Sequence, residues 1–358
     1  MRREIVVPAS MQDVANLAEV SISTVSRVLN RQELVKEQTR RRVESAIRAL
    51  RYRPNAFARG LMLRRSEIVG LALPDMHGEF YSDIIRGANI RARELGYHLV
   101  VSSGRDGDDS RALLQTMQQR TLLDGIAIMI SEMTDLVQES LASFTRPLVV
   151  LDCDIDNKQH DTVLIDQRHG TLAMMHHLVN NRQVQRVIFV GGLKTNVDTI
   201  KRLEACEQVL AETGLSLAAG DVYHLDYQYD TAYDLALERV RSWTGAHNCV
   251  FAANDEMAAG IVAAAKGSGV QVPQDLAVVG FDDTRIARMT RPPLTTVRVP
   301  TAEMGARAVE LLCQRISEPD RPATRVMLKP ELIVRASCGS EKVGSEKVSG
   351  SGSEKVSG

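Results

Sequence analysis

Apolar residues near the start of the chain recur at the three- and four-residue spacing of amphipathic helices. The first such stripe consists of Met11, Val14, Ala15, Leu17 and Ala18. Ser10 and Asp13 stand at the N-cap and N3 positions of this helix, where a serine and an acidic residue can cap each other. The pattern predicts one short helix, followed by a turn at residues 18–20.

A second helix is predicted after the turn, with Ser21 as its N-cap. Its inward face would consist of Val25, Val28 and Leu29. Its outward face would consist of Ile22, Ser23, Ser26 and Arg27. A third amphipathic helix is predicted over residues 37–50, with Val43, Ile47 and Leu50 inward and the arginines at 40–42 outward. This order and spacing predict a three-helix, helix-turn-helix domain.

From Glu67 onward, short apolar runs alternate with amphipathic helical stretches, as in parallel α/β folds. The predicted strands are 68–73, 98–102, 125–130 and 148–151, and then 186–190, 249–252 and 277–281. The later helices are predicted near 170–180, 200–213, 230–243 and 256–267. The two series predict an α/β body of two doubly wound lobes.

Composition sets the class of protein. The 358 residues are 44% apolar and 25% charged, which is ordinary for globular proteins, and the five cysteines show no C-x-x-C spacing. No apolar run approaches the length of a membrane-spanning helix, and the N-terminus lacks the apolar stretch of a secretory signal. We therefore expect a soluble protein of a reducing cytoplasm, without a membrane partner.

Charge separates the two parts of the chain. Residues 1–65 carry a net charge of +8, and the remainder carries −9. A basic helical module on an acidic body favours nucleic acid as the partner of the basic end. A solvated charged face and a three-helix protein-binding module are the alternatives.

The second helix has the side chains that a DNA-reading helix needs. Ile22, Ser23 and Arg27 are suited to base edges in the major groove. Hydroxyl and amide donors suited to phosphate oxygens are supplied by Ser21, Thr24, Ser26 and Asn30. We therefore interpret this helix as a recognition helix for double-stranded DNA.

Polar residues stand just after the predicted strands, where open α/β sheets bind their ligands. They include Asp75, Asp152, Asn254, Asp282 and, at the start of a helix, Arg202, with the aromatic pair Phe80 and Tyr81 in the first strand-to-helix loop. Carboxylates, amides and aromatic faces suit a sugar or a sugar acid. For any single aspartate, helix capping is the alternative.

Three segments carry a family resemblance: Asp13-Val14-Ala15, Val20-Ser21 and Thr24-Val25-Ser26-Arg27-Val28-Leu29-Asn30. They resemble the opening signature of the lactose-repressor and galactose-repressor (LacI/GalR) family of bacterial transcription regulators. Residues 49–56 resemble the exit of its third helix and 58–61 its hinge. Glu19 departs from the family's usual glycine, so a positive φ there would cost about 1 kcal/mol.

The resemblance implies a domain order. It implies a DNA-binding domain at 1–53, a hinge at 54–66, and a two-lobed effector and dimerisation domain of the periplasmic-binding-protein type at 67–338. We place the crossings between the lobes near 164, 297 and 325. Residues 339–358 repeat Ser-Glu-Lys-Val in a Gly/Ser background and are expected to be a disordered native or appended tail.

The resemblance also assigns residues. Met11, Asn55, Ala58 and Leu61 join the predicted DNA contacts, with Leu61 as the minor-groove wedge of a hinge helix that folds on DNA. Arg202, Asn254 and Asp282 match effector-binding segments, although Ala205 replaces a usual glycine. Phe80, Tyr81 and Asp152 stand where effector contacts often lie, and Tyr227 is a candidate stacking aromatic.

The sequence therefore predicts a homodimeric, nucleoid-associated repressor of a palindromic operator, modulated by a carbohydrate or sugar-acid effector. The effector as co-repressor is an alternative, and so is a sugar-binding protein without DNA function. An enzyme is not expected, since no G-x-S-x-G, phosphate-binding or G-x-G-x-x-G motif is present. No cofactor or metal is expected, because His176 and His177 lack a third ligand at helical spacing.

Overall fold

The computed structural model of the protein describes residues 9–30, 35–52, 65–104, 110–119, 122–155 and 159–339. The chain divides into two compact units, residues 1–67 and 68–358. Of the predicted hinge, only residues 65 and 66 belong to the described ranges, and of the predicted tail only Gly339 does.

Within its described residues the first unit contains three helices, α1 (Met11–Leu17), α2 (Ile22–Asn30) and α3 (Glu37–Ala49). Their shared core contains Val14, Val25, Val28 and Val43, which are almost fully buried. The predicted capping box at the start of α1 is confirmed, because the Asp13 amide donates to Ser10 Oγ at 3.2 Å and the Ser10 amide donates to Asp13 Oδ2 at 2.8 Å. Leu17 is 54% exposed, so the predicted stripe is wrong at that position.

The turn between α1 and α2 is braced from α3. Glu19 has a φ of 51°, in the left-handed region that disfavours side chains with a Cβ. Arg42, which the sequence placed outward, donates from Nη2 to the carbonyls of Ala18 at 2.5 Å and Glu19 at 3.3 Å. A cation on α3 therefore satisfies two carbonyls of the strained turn.

The first lobe of the second unit is built on a parallel sheet. Within the described residues its strands are β1 (Ile68–Leu73), β2 (His98–Ser103), β3 (Gly125–Met129), β4 (Leu148–Leu151), β5 (Asp161–Ile165) and β11 (Arg325–Leu328). They are ordered β11-β5-β4-β3-β1-β2. Its helices are α4 (Gly78–Glu94), α5 (Ser110–Gln118), α6 (Asp135–Ala142) and α12 (Thr301–Ser317).

The second lobe has a second parallel sheet, ordered β7-β6-β8-β9. Its strands are β6 (Arg186–Gly191), β7 (Val222–His224), β8 (Asn248–Ala252) and β9 (Ala277–Val279). Its helices are α7 (Gln167–Arg182), α8 (Val197–Glu212), α9 (Tyr229–Trp243), α10 (Asp255–Gly267) and α11 (Arg285–Met289). A short antiparallel pair joins β10 (Thr296–Arg298) to β12 (Glu331–Ile333). The predicted α/β fold of two doubly wound lobes is confirmed.

The chain passes between the lobes three times. It leaves the first sheet after β5, returns after β10 to form α12 and β11, and leaves again after β11 to form β12. Each lobe is therefore assembled from separate stretches of sequence.

Helices α4 and α12 approach each other closely at two glycines. A Cβ on Gly87 would lie 1.9 Å from the Ala302 carbonyl oxygen, and one on Gly305 would lie 2.0 Å from that of Ile84. Ile84 and Leu312 are fully buried beside this crossing. The close approach leaves no room for a side chain on either glycine.

We expect Gly305→Ala to destabilise the second unit by roughly 1 to 3 kcal/mol, because the added methyl group meets backbone that cannot move aside. Denaturant unfolding of the full chain measures this. Gly267→Ala is the control, since its methyl would enter open space near the end of α10 and should not lower stability. Equal effects of the two substitutions would contradict the packing argument.

We expect Glu19→Gly to stabilise the three-helix unit by about 1 kcal/mol, because glycine adopts positive φ without a steric penalty. The lost ion pair with Arg42, 3.3 Å long and exposed, contributes little. Native-state hydrogen exchange of α1–α3 in the full chain measures the opening free energy. Glu44→Gly, inside α3, should instead lower it, and a loss of stability in Glu19→Gly would refute the strain.

Candidate functional site

The outward face of α2 is available to a partner. Ile22 is 41% exposed, and Ser23 and Arg27 are exposed, while Val25 and Val28 hold the opposite face in the core. Within the described residues, the Arg27 side chain forms no hydrogen bond or ion pair. A free guanidinium beside small polar side chains on an exposed helix can reach the base edges of a major groove.

Hydroxyl groups cluster at the start of α2. Ser21 Oγ accepts from the Thr24 amide at 3.2 Å, which confirms the predicted cap, and lies 2.7 Å from Ser23 Oγ and 2.9 Å from Thr24 Oγ1. Ser26 is half-buried, and Met11 packs against the core of the unit. A helix N-terminus with hydroxyl donors suits a phosphate group.

Several predicted DNA contacts fall outside the described part of the chain. Neither the backbone nor the side chains of Asn55, Ala58 and Leu61 are among the described parts of the chain. The backbone of Asn30 is described, but its side chain is not. These assignments stay predictions.

A cavity of about 270 Å³ lies between the two lobes. It is bordered by the segments that follow the carboxyl ends of β1, β3 and β4 in one lobe and of β6, β7, β8 and β9 in the other. Its volume is just under the range of about 300 to 1,000 Å³ for ligand pockets, which favours a small ligand.

All eight residues predicted from the strand ends and the resemblance line this one cavity. They are Asp75, Phe80, Tyr81, Asp152, Arg202, Tyr227, Asn254 and Asp282. The rings of Phe80 and Tyr81 meet edge to face with their centroids 5.3 Å apart, and both residues lie on α4, so their predicted position in the loop before this helix is wrong. The structure thus brings the residues together, while their role in binding stays a prediction.

Arg202 lies at the floor of the cavity and is 3% exposed. Its Nε and Nη2 donate to Gln167 Oε1 at 3.1 and 2.9 Å, and its Nη1 donates to the Ala253 carbonyl. Its guanidinium stacks 3.9 Å from the centroid of the Phe281 ring. The orientation of the guanidinium is therefore set by contacts with the protein itself.

Burial acts on two carboxyl groups of the cavity. Burial raises the pKa of Asp152 well above its ordinary value, and the charge of Asp198 raises it further. Burial also raises the pKa of Asp282 well above its ordinary value, against the lowering influence of Arg202. Because burial disfavours the charged form, a cation or a hydrogen-bond donor placed in the cavity would stabilise these carboxylates.

Tyr227 is held in a fixed position at the side of the cavity. Its hydroxyl donates to Asn196 Oδ1 at 2.8 Å and lies 2.6 Å from Thr199 Oγ1. Its ring covers Gly192, where a Cβ would lie 2.0 Å from a ring carbon. Asn254 Nδ2 donates to the Tyr227 carbonyl at 2.9 Å. The ring thus presents a rigid aromatic surface to the cavity.

The lobes touch at one rim of the cavity. The Val197 amide donates to the Ser131 carbonyl at 3.1 Å, and Thr195 Oγ1 donates to Glu132 Oε1 at 3.0 Å. Asn196 and Glu132 form an isolated antiparallel bridge. These contacts join the segment after β3 to the segment before α8, so the structure is closed at this rim.

Sequence reasoning missed Asn196, Asp198 and Glu132, which also line the cavity. Asn196 is the N-cap of α8, and Asp198 lies four residues before Arg202 with its Oδ2 3.9 Å from Arg202 Nη2. The capping pattern and this spacing were the available signals.

Two other strand-end aspartates have structural roles. Asp283 accepts hydrogen bonds from Arg298 and Arg335. Asp255 accepts from Thr296 Oγ1 at 2.6 Å and from the Thr284 amide at 2.8 Å, and burial raises its pKa to about 7. These contacts with the protein itself account for the carboxylates of the two residues.

The described residues contain neither a membrane-spanning helix nor a cluster of metal-ligating side chains. None of the helices there is both long and apolar enough to span a membrane. No group of three or more His, Cys, Asp or Glu side chains among them could hold a metal ion.

Two known domain families match parts of the two units. Residues 10–55 match the family described as bacterial regulatory proteins, lacI family, and residues 175–338 match the periplasmic binding protein-like domain. The chain is 32% identical over 332 residues to the ribose operon repressor of Escherichia coli (strain K12), covering 92% of this chain and 99% of that protein.

Solved structures agree over nearly the whole chain. The lac repressor dimer bound to operator and the anti-inducer ONPF matches with a TM-score of 0.82 at 26% identity, covering 93% of this chain and 99% of that one. The complex of the transcriptional regulator CelR with cellobiose matches with a TM-score of 0.67 at 28% identity, covering 92% and 99%. The chain belongs to the LacI family of bacterial regulatory proteins.

Proposed function

We propose that the protein is a transcriptional repressor that binds a palindromic operator as a homodimer and is modulated by a small sugar or sugar acid. The observation that carries the proposal is the combination, in one chain, of the exposed α2 face and the polar, aromatic cavity. The repressor relatives support the DNA function, and the CelR–cellobiose complex supports a carbohydrate ligand. Such a regulator acts on the bacterial chromosome, in the cytoplasm.

DNA recognition is assigned to α2. Ile22, Ser23 and Arg27 read base edges, and the hydroxyls of Ser21 and Thr24 bind phosphate. One recognition helix covers only a few base pairs, so a two-fold pair of subunits is needed for useful specificity. Asn55, Ala58 and Leu61 are proposed to add minor-groove contacts from the hinge.

Effector binding is assigned to the eight predicted cavity residues. Asn254, Asp282 and Arg202 hold ligand hydroxyls, while Phe80, Tyr81 and Tyr227 cover its apolar surface. The three segments that cross between the lobes allow the lobes to rotate relative to each other. A ligand that favours one arrangement changes operator affinity by a coupling free energy of about 1 to 3 kcal/mol.

The proposal leaves the sign of this coupling to experiment. An inducer lowers operator affinity and a co-repressor raises it. Thermal-shift screening of the full chain against carbohydrates and sugar acids, with and without operator, gives both the ligand and the sign. A sugar-binding protein without DNA function would show ligand binding and no selected operator.

We expect Arg27→Ala to weaken binding to an operator selected from random duplexes by roughly tenfold to a hundredfold, because a base-edge contact is lost. Binding to a scrambled duplex should change much less. Fluorescence anisotropy over a salt series measures both affinities. Arg41→Ala, on the exposed side of α3, is the matched control and should preserve sequence preference. Equal losses on both duplexes would contradict base reading by Arg27.

We expect Asp282→Asn to weaken binding of the screened ligand by roughly tenfold to a hundredfold, because a hydrogen bond to a carboxyl group is lost. Calorimetry measures the affinity. Operator affinity without ligand should stay unchanged, and the response to the ligand should disappear. Ligand affinity equal to that of the wild type would remove Asp282 from the proposed site.

A further inference from the structure

Carboxyl groups outnumber basic groups in the lining of the cavity. Among the described residues, eight carboxyl side chains line it, against the guanidinium of Arg202 and the imidazole of His77. His77 Nδ1 is already engaged with Asp75 Oδ1 at 2.7 Å. Lys201 lies outside the lining and acts on Asp152 only through its field. The cavity as a whole is therefore an acidic environment.

Three carboxyl groups share one guanidinium at the floor. Asp152, Asp198 and Asp282 all interact electrostatically with Arg202. Arg202 is held by Gln167 and the Ala253 carbonyl, and its single charge can balance only one of the three groups when they are ionised. A ligand with a carboxylate or phosphate would add a further negative charge to this cluster.

Oxygen atoms at the floor lack hydrogen-bond donors. Within the described residues, Asp198 Oδ1 and Asp282 Oδ1 are buried and accept no hydrogen bond from an N–H or hydroxyl group, and the Asp198 side chain lies against the carboxyl group of Asp152. Asp152 is 3% exposed, and its contacts with the Ile165 amide and Gln167 Nε2, at 3.3 and 3.4 Å, are longer than ordinary hydrogen bonds. Buried acceptors without donors are costly, so this floor is suited to a ligand that donates.

We propose that the effector is a polyhydroxylated cation, of the chemical class of amino sugars and amino polyols. The inference rests on the ligand-binding role proposed for the cavity. A protonated amine supplies three donors and the missing positive charge, which a neutral sugar does not. The rings of Tyr81 and Tyr227 lie near the same carboxylates, where they can contact the cation and the C–H surface of the ligand.

Matched sets of sugars test the charge of the ligand. Each set contains an amine, its neutral parent and its acid, such as D-glucosamine, D-glucose and D-glucuronate, with the galactose and mannose sets alongside. Calorimetry on the full chain at constant pH and ionic strength measures each dissociation constant. In at least one set the amine should bind roughly tenfold to a hundredfold more tightly than the neutral sugar, and the acid should not bind.

Two variants in which an aspartate becomes asparagine distinguish a loss of this charge effect from a loss of folding. Asp198→Asn should reduce the advantage of the amine over the neutral sugar in the responding set. Asp234→Asn, exposed on α9 and outside the cavity lining, should keep that advantage. Thermal unfolding checks that both variants fold.

A neutral sugar or an acid that binds as tightly as its amine, or no binding by any of the three amines, would overturn the inference. An advantage that survives in Asp198→Asn would overturn it as well. The proposed repressor function would stand in each case if a selected operator responds to some other small ligand. If no operator is selected and no ligand of any class binds, the proposed function itself fails.

Discussion

The geometry of the cavity depends on the contacts that the buried guanidinium of Arg202 makes with three segments of the second lobe. The guanidinium contacts Gln167 at the start of α7, Ala253 after β8, and Phe281 after β9. Three segments that are far apart in sequence are thus held together at one side chain. Because the same charge lies among the carboxylates of the cavity, the packing of the second lobe and the electrostatics of the cavity have a common origin.

The alternation of apolar runs and helical stripes was sufficient to predict the two lobes and most of their elements. Strands β1, β3, β4, β6 and β8 are buried runs bounded by turns, and such runs are readily recognised. The short strands β7, β10 and β12 were missed, since three residues show no periodicity. Strands β5 and β11 were also missed: β5 begins with the polar residues Asp161 and Thr162 and β11 with Arg325, so neither is a continuous apolar run.

The cavity was predicted through a rule of topology, because residues after parallel strands meet at one edge of a sheet. That rule cannot separate Asp282 from its neighbour Asp283, which is neutralised by arginines from β10 and from beyond β12. It also cannot show that Asp152, Tyr227 and Asp282 adopt positive φ, at 56°, 66° and 111°. Backbone strain of this kind concentrates at functional sites, and it depends on tertiary contacts that no local pattern encodes.

The return of the chain to the first sheet has a consequence for biosynthesis. Strand β5 pairs with β4 on one side and with β11 on the other, and β11 begins 160 residues after the end of β5. A ribosome must therefore translate nearly all of the second lobe before the first one can close its edge. Until then one edge of β5 is unpaired, which exposes nascent chains of this protein to pairing with other chains.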